Sequence, residues 1–243
     1  MADFKAITEN ILRLEVAWRF GPLRVPVAVW LIRTGETYVL IDSGPPTRAD
    51  EVVAAVARAT GGKGPRMVLL THAHPDHAGG LVALRSAWNP AILCHRDEVP
   101  FVTGEWSYRQ LPAGSAINWF GRFLIPRQLV ELPVARDLEG GVSVEGMAVI
   151  ALPGHSPGHI GFLHPTEEAM ICGDAVRNLG GRLSEPQPLW TQDPELARSS
   201  MVRLAELDFE HLLPSHGPAI RSQGRIAMKR FIESEFELEV DHY

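Results

Sequence analysis

Cysteine is nearly absent from this chain: only Cys94 and Cys172 occur among its 243 residues. Each lies inside an apolar run, where a thiol usually behaves as a small packed side chain. Disulfide-stapled folds carry more cysteines than this, so the count argues against such a framework. We therefore expect no disulfide and a reducing, cytoplasmic setting.

The chain also lacks a basic cluster and a long apolar run. Its 23 Lys and Arg residues are outnumbered by 29 Asp and Glu residues, for a formal net charge of −6. Nucleic-acid binding relies on basic patches that neutralise phosphates, so we expect no nucleic-acid partner. No apolar signal core follows Met1, and no apolar run approaches the roughly 20 residues that span a membrane. We expect no membrane association and a small-molecule substrate, with a homodimer left open.

Apolar residues are plentiful enough for a sizeable core, at 45% of the sequence. Strand-like and helix-like patterns alternate twice along the chain. The run Val27–Ile32 is apolar throughout, as in a strand covered on both faces. The segment Arg48–Ala59 has helical spacing, and Asp193-Pro194 is typical of a helix start. No linker or low-complexity tract interrupts the pattern, so one domain over residues 1–243 is predicted.

The most informative segment is the run Thr71-His72-Ala73-His74-Pro75-Asp76-His77, which follows the apolar stretch Met67–Leu70. A single His near a strand end is usually a packed or solvated side chain. Four nitrogen and carboxylate donors in one short loop instead indicate a metal site. Imidazole and carboxylate ligands without thiolates suit zinc, iron or manganese.

Three later segments repeat this arrangement with one candidate ligand each. His155 follows Val149–Leu152, Asp174 follows Ala169–Cys172, and His216 follows His211–Leu213. Each candidate therefore comes just after an apolar, strand-like run, beside small or turn-forming residues.

Together with Asp42 in the turn Ile41-Asp42-Ser43-Gly44, these motifs resemble, in order, those of the metallo-β-lactamase-fold superfamily. The resemblance extends from about Asp42 to His216, which is most of the chain. It implies an α+β fold, namely a four-layer αββα sandwich with mixed β-sheets. The metals would lie where the loops of the two sheets meet.

The resemblance also implies which residues bind metal and which support them. His72, His74 and His155 would bind one divalent ion, Asp76, His77 and His216 a second, and Asp174 would bridge the two. Zinc is the first expectation for both ions, with iron and manganese as alternatives. Asp42 would orient ligands by hydrogen bonding, the alternative being an ordinary Asp-x-Gly turn. His159 is expected to brace the loop of His155, the alternative being a turn histidine.

The reaction expected from this resemblance is metal-dependent hydrolysis. A metal-bridging hydroxide would cleave an ester, thioester or lactone of a small molecule, with Asp76 and Asp174 as the catalytic carboxylates and Asp76 also carrying a proton. The glyoxalase II-like and lactonase-like branches fit best. However, no Tyr lies between Asp174 and His216, as lactonases usually have, and only 27 residues follow His216, too few for a glutathione-binding helical domain. The alternative is a mononuclear-iron persulfide dioxygenase, and a phosphodiesterase or nuclease is less favoured.

An aromatic-rich insertion at about residues 98–131 departs from the regular pattern, because prolines interrupt any long helix. Its aromatic side chains predict a substrate-pocket wall, since concave sites are lined mainly by apolar groups. The alternative is that they pack the insertion itself or form a dimer contact. The pocket candidates are Trp106, Tyr108, Trp119, Phe120 and Phe123, with Arg177 and Trp190 from the region after Asp174.

Overall fold

The computed structural model describes residues 2–20, 23–107 and 131–236. The chain divides into two compact units, Met1–Glu139 and Gly140–Tyr243. The prediction of a single domain over residues 1–243 stays a prediction. None of the helices among the described residues has the length and apolar character required to cross a bilayer.

The first unit contains a seven-stranded mixed sheet, in which the strands are arranged in chain order. The first four strands pair antiparallel, and the last three add to the sheet in parallel. The strands are β1 (Lys5–Ala6), β2 (Ile11–Phe20), β3 (Leu23–Thr34), β4 (Thr37–Ile41), β5 (Met67–Leu69), β6 (Ala91–His95) and β7 (Arg136–Leu138).

The core of this unit is built on β3, where every residue of Val27–Ile32 is fully buried. This burial is what the uninterrupted apolar run predicts, because a strand covered on both faces cannot alternate with polar residues. Parallel pairing of β4 with β5, in the register Ile41↔Leu69, places the residues after both strands at the same edge of the sheet. Asp42 and the His-rich run follow these two strands directly.

The described residues of the first unit also form four α-helices: α1 (Ala49–Ala59), α2 (Pro75–Ala78), α3 (Leu81–Trp88) and α4 (Val99–Val102). The sequence favours one helix over residues 78–87, but the structure ends α2 at Ala78 and begins α3 at Leu81. At the Gly79-Gly80 break, the Gly80 N–H donates to the Gly44 carbonyl and the Ser43 hydroxyl, both at 3.0 Å, instead of continuing the helix. A side chain at Gly80 would lie 2.2 Å from the backbone oxygen of Ser43. The chain after Asp42 therefore passes directly against this break, close to the His-rich run.

The second unit has a five-stranded sheet in the order β14-β11-β10-β9-β8 and a separate hairpin of β12 and β13. Pairing is antiparallel except between β11 and β14. The strands are β8 (Ser143–Val144), β9 (Met147–Ala151), β10 (Ile160–His164), β11 (Ala169–Gly173), β12 (Arg177–Leu179), β13 (Arg182–Ser184) and β14 (His211–Pro214). The three strand-like runs that precede His155, Asp174 and His216 in the sequence are thus strands β9, β11 and β14.

Two helices pack together in this unit, α5 (Pro194–Glu206) and α6 (Gly224–Phe236). The start of α5 is as predicted: the Asp193 carboxylate accepts the Leu196 N–H at 2.9 Å, and Pro194 occupies the first helical turn. Cys172 belongs to the core beneath these helices, together with Leu152 and Met170. Both Cys94 and Cys172 are buried free thiols.

Candidate metal centre

The His-rich run lies immediately after β5 and enters α2 at Pro75. Every residue from Thr71 to Gly80 is buried. His72 and His77 are completely shielded, and His74 and Asp76 retain only 5% and 7% exposure. Buried imidazoles and carboxylates need partners, because burial without compensating bonds is costly.

Asp42 supplies several of these partners in the first unit. Its fully buried carboxylate accepts the backbone N–H of Thr71 at 2.8 Å and the Thr71 hydroxyl at 2.9 Å. The same carboxylate lies 2.8 Å from Nδ1 of His77. Asp42 therefore bonds to both ends of the run, while its orienting role stays a prediction.

These bonds determine where the protons of two imidazoles lie. A carboxylate only accepts, so Nδ1 of His77 carries a hydrogen. Thr71 gives its one hydroxyl hydrogen to Asp42, so it accepts from Nδ1 of His72 at 3.1 Å. In both rings Nε2 is the nitrogen left for a metal, which is how a partner on Nδ1 orients a metal-binding His.

The donor atoms of the run converge. Nε2 of His72 lies 2.9 Å from Nδ1 of His74, and donor atoms of His72 and His77 lie within 4.8 Å. Nε2 of His77 lies 3.7 Å from the Asp76 carboxylate. Nitrogen and carboxylate donors gathered this closely can share one cation. The donor set therefore fits a divalent metal ion.

Glu98 is a supporting residue that the sequence reading missed. Its side chain is fully buried and accepts the backbone N–H of Ala73, between His72 and His74, at 2.9 Å. The two residues are 25 positions apart, and Glu98 stands at the start of the aromatic-rich insertion. No local pattern marked it, because a Glu before a short helix is usually solvated.

The candidate ligands of the second unit converge on one carboxylate. Oδ2 of Asp174 lies 3.1 Å from Nε2 of His216 and 3.4 Å from Nε2 of His155. The three side chains are buried, with exposures of 6%, 8% and 1% respectively. One carboxylate oxygen near two imidazole nitrogens is the arrangement expected of a ligand that serves two cations.

Two further side chains of this unit support these ligands. Nε2 of His159 accepts the backbone N–H of Asp174 at 3.0 Å, and its ring contacts that of His155 edge-on, with centroids 6.0 Å apart. Nδ1 of His155 lies 3.1 Å from the hydroxyl of Thr191. Sequence reading did not identify Thr191, because it is 36 positions from His155 in a segment without a motif.

The pocket candidates are only partly described. Tyr108, Trp119, Phe120 and Phe123 lie outside the described residues. Trp106 is 51% exposed and meets the ring of Phe101 edge-on, with centroids 5.8 Å apart. Its role in a pocket stays a prediction.

The other two pocket candidates, Arg177 and Trp190, both bond to Gln187. Arg177 donates to the Glu185 carbonyl at 2.8 Å and to Oε1 of Gln187 at 3.0 Å. Burial lowers the pKa of its guanidinium, and the nearby Asp174 opposes that shift. Trp190 is half-buried and donates its backbone N–H to the Gln187 carbonyl at 3.0 Å. Both thus help shape the segment that carries Thr191.

Comparison with known proteins agrees with this geometry. The pattern that defines the metallo-beta-lactamase superfamily matches residues 23–216. The probable metallo-hydrolase YflN of Bacillus subtilis (strain 168) is 30% identical over 199 residues, which cover 74% of this chain and 75% of YflN. The hydroxyacylglutathione hydrolase of Ruegeria pomeroyi is 32% identical over 164 residues, covering 66% of this chain and 51% of that protein.

A solved structure, TTHA1623 in a di-iron-bound form, superposes with a TM-score of 0.62 and 32% identity. The superposition covers 90% of this chain and 97% of TTHA1623. The fold is therefore the predicted α+β fold of the metallo-β-lactamase type. The chain belongs to the metallo-beta-lactamase superfamily, and within it resembles metallo-hydrolases.

Proposed function

We propose that the protein is a metal-dependent hydrolase that cleaves an ester, thioester or lactone bond of a small molecule. The site would hold two divalent ions. His72, His74 and His155 would bind one ion, Asp76, His77 and His216 the other, and Asp174 both. Membership in the superfamily and the Nδ1 bonds of His72 and His77 support this division.

The position of Asp174 is the observation on which the proposal chiefly depends. Its Oδ2 atom is close to His155, assigned to one ion, and to His216, assigned to the other. Two adjacent cations repel strongly, so an anionic group between them is required.

Such ions, when bound, supply Lewis acidity and lower the pKa of a bound water towards neutrality. The protein's own groups would do the rest. Asp42 holds His77 directly and His72 through Thr71, which keeps both rings fixed. Asp76 would accept a proton from the attacking water and return it to the leaving group. No Ser or Cys nucleophile is needed, and burial keeps both cysteines as neutral thiols, with their pKa raised.

An acyl compound is the substrate class we favour. The similarity to a hydroxyacylglutathione hydrolase supports it, although this chain spans only 51% of that relative. Zinc is the metal we favour for both ions, with iron as the alternative that the di-iron form of TTHA1623 supports.

The test is a metal measurement followed by a substrate screen. The purified protein should contain two metal equivalents per chain and hydrolyse thioesters, esters or lactones at pH 7 to 8. Removal of the metal with a chelator should abolish turnover, and added zinc should restore it. One iron per chain with oxygen consumption on persulfides, or activity on phosphodiesters alone, would contradict the proposal.

The bridge is tested by Asp174→Ala. This variant should lose one or both metal equivalents and its turnover, because the repulsion between the cations is no longer screened. Asp208→Ala is the matched control, since its carboxylate is in the same unit with 96% of the side chain exposed. Full activity with unchanged metal content in Asp174→Ala would rule out the bridging role.

A further inference from the structure

The turn that carries His155 is bonded along its length to the segment that precedes and begins α5. The hydroxyl of Ser200 donates to the Pro153 carbonyl at 2.7 Å. Asp193 N–H donates to Gly154 O at 2.9 Å, and Gln192 N–H donates to His155 O at 3.3 Å. These bonds fix the backbone of the turn.

Gly154 permits this close approach. Its φ is +124°, and a Cβ atom there would lie 2.2 Å from the backbone nitrogen of Ala197. Any other residue would push the turn away from α5. The backbone of His155 is therefore held firmly, but backbone bonds leave the orientation and the proton of its ring undetermined.

Thr191 bonds to the ring of His155. Its side chain is 3% exposed, and its hydroxyl donates to the Gln187 carbonyl at 2.9 Å. With its hydrogen used there, the oxygen accepts from Nδ1 of His155 at 3.1 Å. In this arrangement the proton of His155 is on Nδ1, and its Nε2 directs a lone pair towards Asp174.

We propose that Thr191 is a positioning residue, which holds His155 in the tautomer and orientation that a metal ion requires. The proposal rests on the metal-binding role assigned to His155 above. The opposite tautomer would place a hydrogen on Nε2, where it would bond to Asp174 and block the metal. Thr191 therefore does for His155 what Thr71 does for His72, but from a segment with no recognisable motif.

The same bond ties the segment of residues 185–193 to metal binding. Arg177 holds this segment from the other side through the Glu185 carbonyl and the Gln187 side chain. Thermodynamic linkage is reciprocal: if the segment orients His155 for the metal, then the metal stabilises the segment. Amide hydrogen exchange of Thr191, Gln192 and Asp193 should consequently slow when metal binds.

The experiment compares Thr191→Val, which removes the hydroxyl at nearly constant shape, with Thr191→Ser, which keeps it. Zinc affinity is measured by competition with a chromogenic chelator, and amide exchange is followed with and without zinc. Thr191→Val should weaken the affinity for one zinc about 10- to 100-fold, the usual effect of removing a partner of a metal-binding His. It should also lose most of the zinc-dependent slowing of exchange, whereas Thr191→Ser should stay within about threefold of the wild type.

Ser200→Ala is the control for a loosened turn, because it removes a backbone-directed bond and leaves the ring bond intact. A Thr191→Val protein that binds zinc like the wild type would overturn the proposal. So would an equal loss in Thr191→Ser or in Ser200→Ala, which would indicate packing alone. No substrate is involved, so the hydrolase proposal can fail separately: zinc binding that depends on Thr191, without any hydrolysis, would refute only that function.

Discussion

The carboxylate of Asp42 lies 2.8 Å from Nδ1 of His77, and both side chains are completely shielded from solvent. This carboxylate also accepts both donors of Thr71, which in turn contacts His72. One buried anion therefore sets the ring orientation of two candidate ligands. Its loss should disturb both of these candidate ligands.

We expect Asp42→Asn to weaken zinc binding by about 10- to 100-fold, because an amide cannot accept from all of these donors at once. Asn also tolerates the left-handed backbone at this position, so the fold should survive. Chelator competition gives the affinity, and circular dichroism checks the fold. Asp50→Asn, on the exposed surface of α1, is the control. Unchanged affinity in Asp42→Asn would disprove the orienting role.

Glu98 offers a second test, which concerns its bond to the backbone of the His-rich run. Glu98→Ala leaves the Ala73 N–H without this acceptor in a buried place, which should cost about 1–3 kcal/mol of stability. It should also weaken zinc binding, since Ala73 separates two candidate ligands. Glu98→Gln keeps an oxygen acceptor and should recover most of both losses. Urea unfolding and zinc competition measure them, and equal losses in the two variants would contradict the assignment.

The two cysteines should be inert in the native protein. Burial raises the pKa of both thiols, and nearby carboxylates raise it further. The thiolate is the reactive form, so labelling by a disulfide reagent at pH 8 should be slower than for free cysteine by about 100-fold or more. Two thiols should react promptly once the chain is unfolded in urea without reductant. If one thiol of the native protein is labelled rapidly, that cysteine is accessible to solvent and the prediction is wrong.

His164 should make the protein less stable in mild acid. Burial lowers the pKa of this imidazole, an effect that outweighs the opposing charge of Glu167. The unfolded chain therefore takes up the proton first as the pH falls below about 6.5, the ordinary value for His. Stability declines from there down to the pKa of the folded state, and is unaffected above neutrality.

His164→Gln should remove this part of the pH dependence. The measurement is urea unfolding of the chelator-treated protein at pH 7.5 and pH 5.5, and the difference between wild type and variant isolates His164 from the candidate ligands. The loss of stability on acidification should be smaller in the variant. An identical loss in both proteins would show that the folded and unfolded states bind this proton equally.

The candidate ligands could be selected from the sequence because each follows an apolar run, and runs such as Val149–Leu152 are visible without a structure. Capping chemistry likewise revealed the start of α5. Partners far apart in the chain were not visible. Thr191 and Glu98 act through single bonds across 36 and 25 positions, and nothing in their neighbours' identity marks such a bond. The break between α2 and α3 was missed for a related reason, since it depends on bonds from the Gly80 N–H to Gly44 and Ser43, far away in the chain.

Asp42 also has a φ of +62°, a left-handed backbone that glycine would adopt with less strain. Glycine here would relieve this torsion, worth about 1–2 kcal/mol, but it would also remove the acceptor of the buried Thr71 and His77 donors. Each lost acceptor costs about 1–3 kcal/mol, so Asp42→Gly should lower the melting temperature. The strained backbone at this position is therefore retained at a net gain, and a search for hardier variants should leave it untouched.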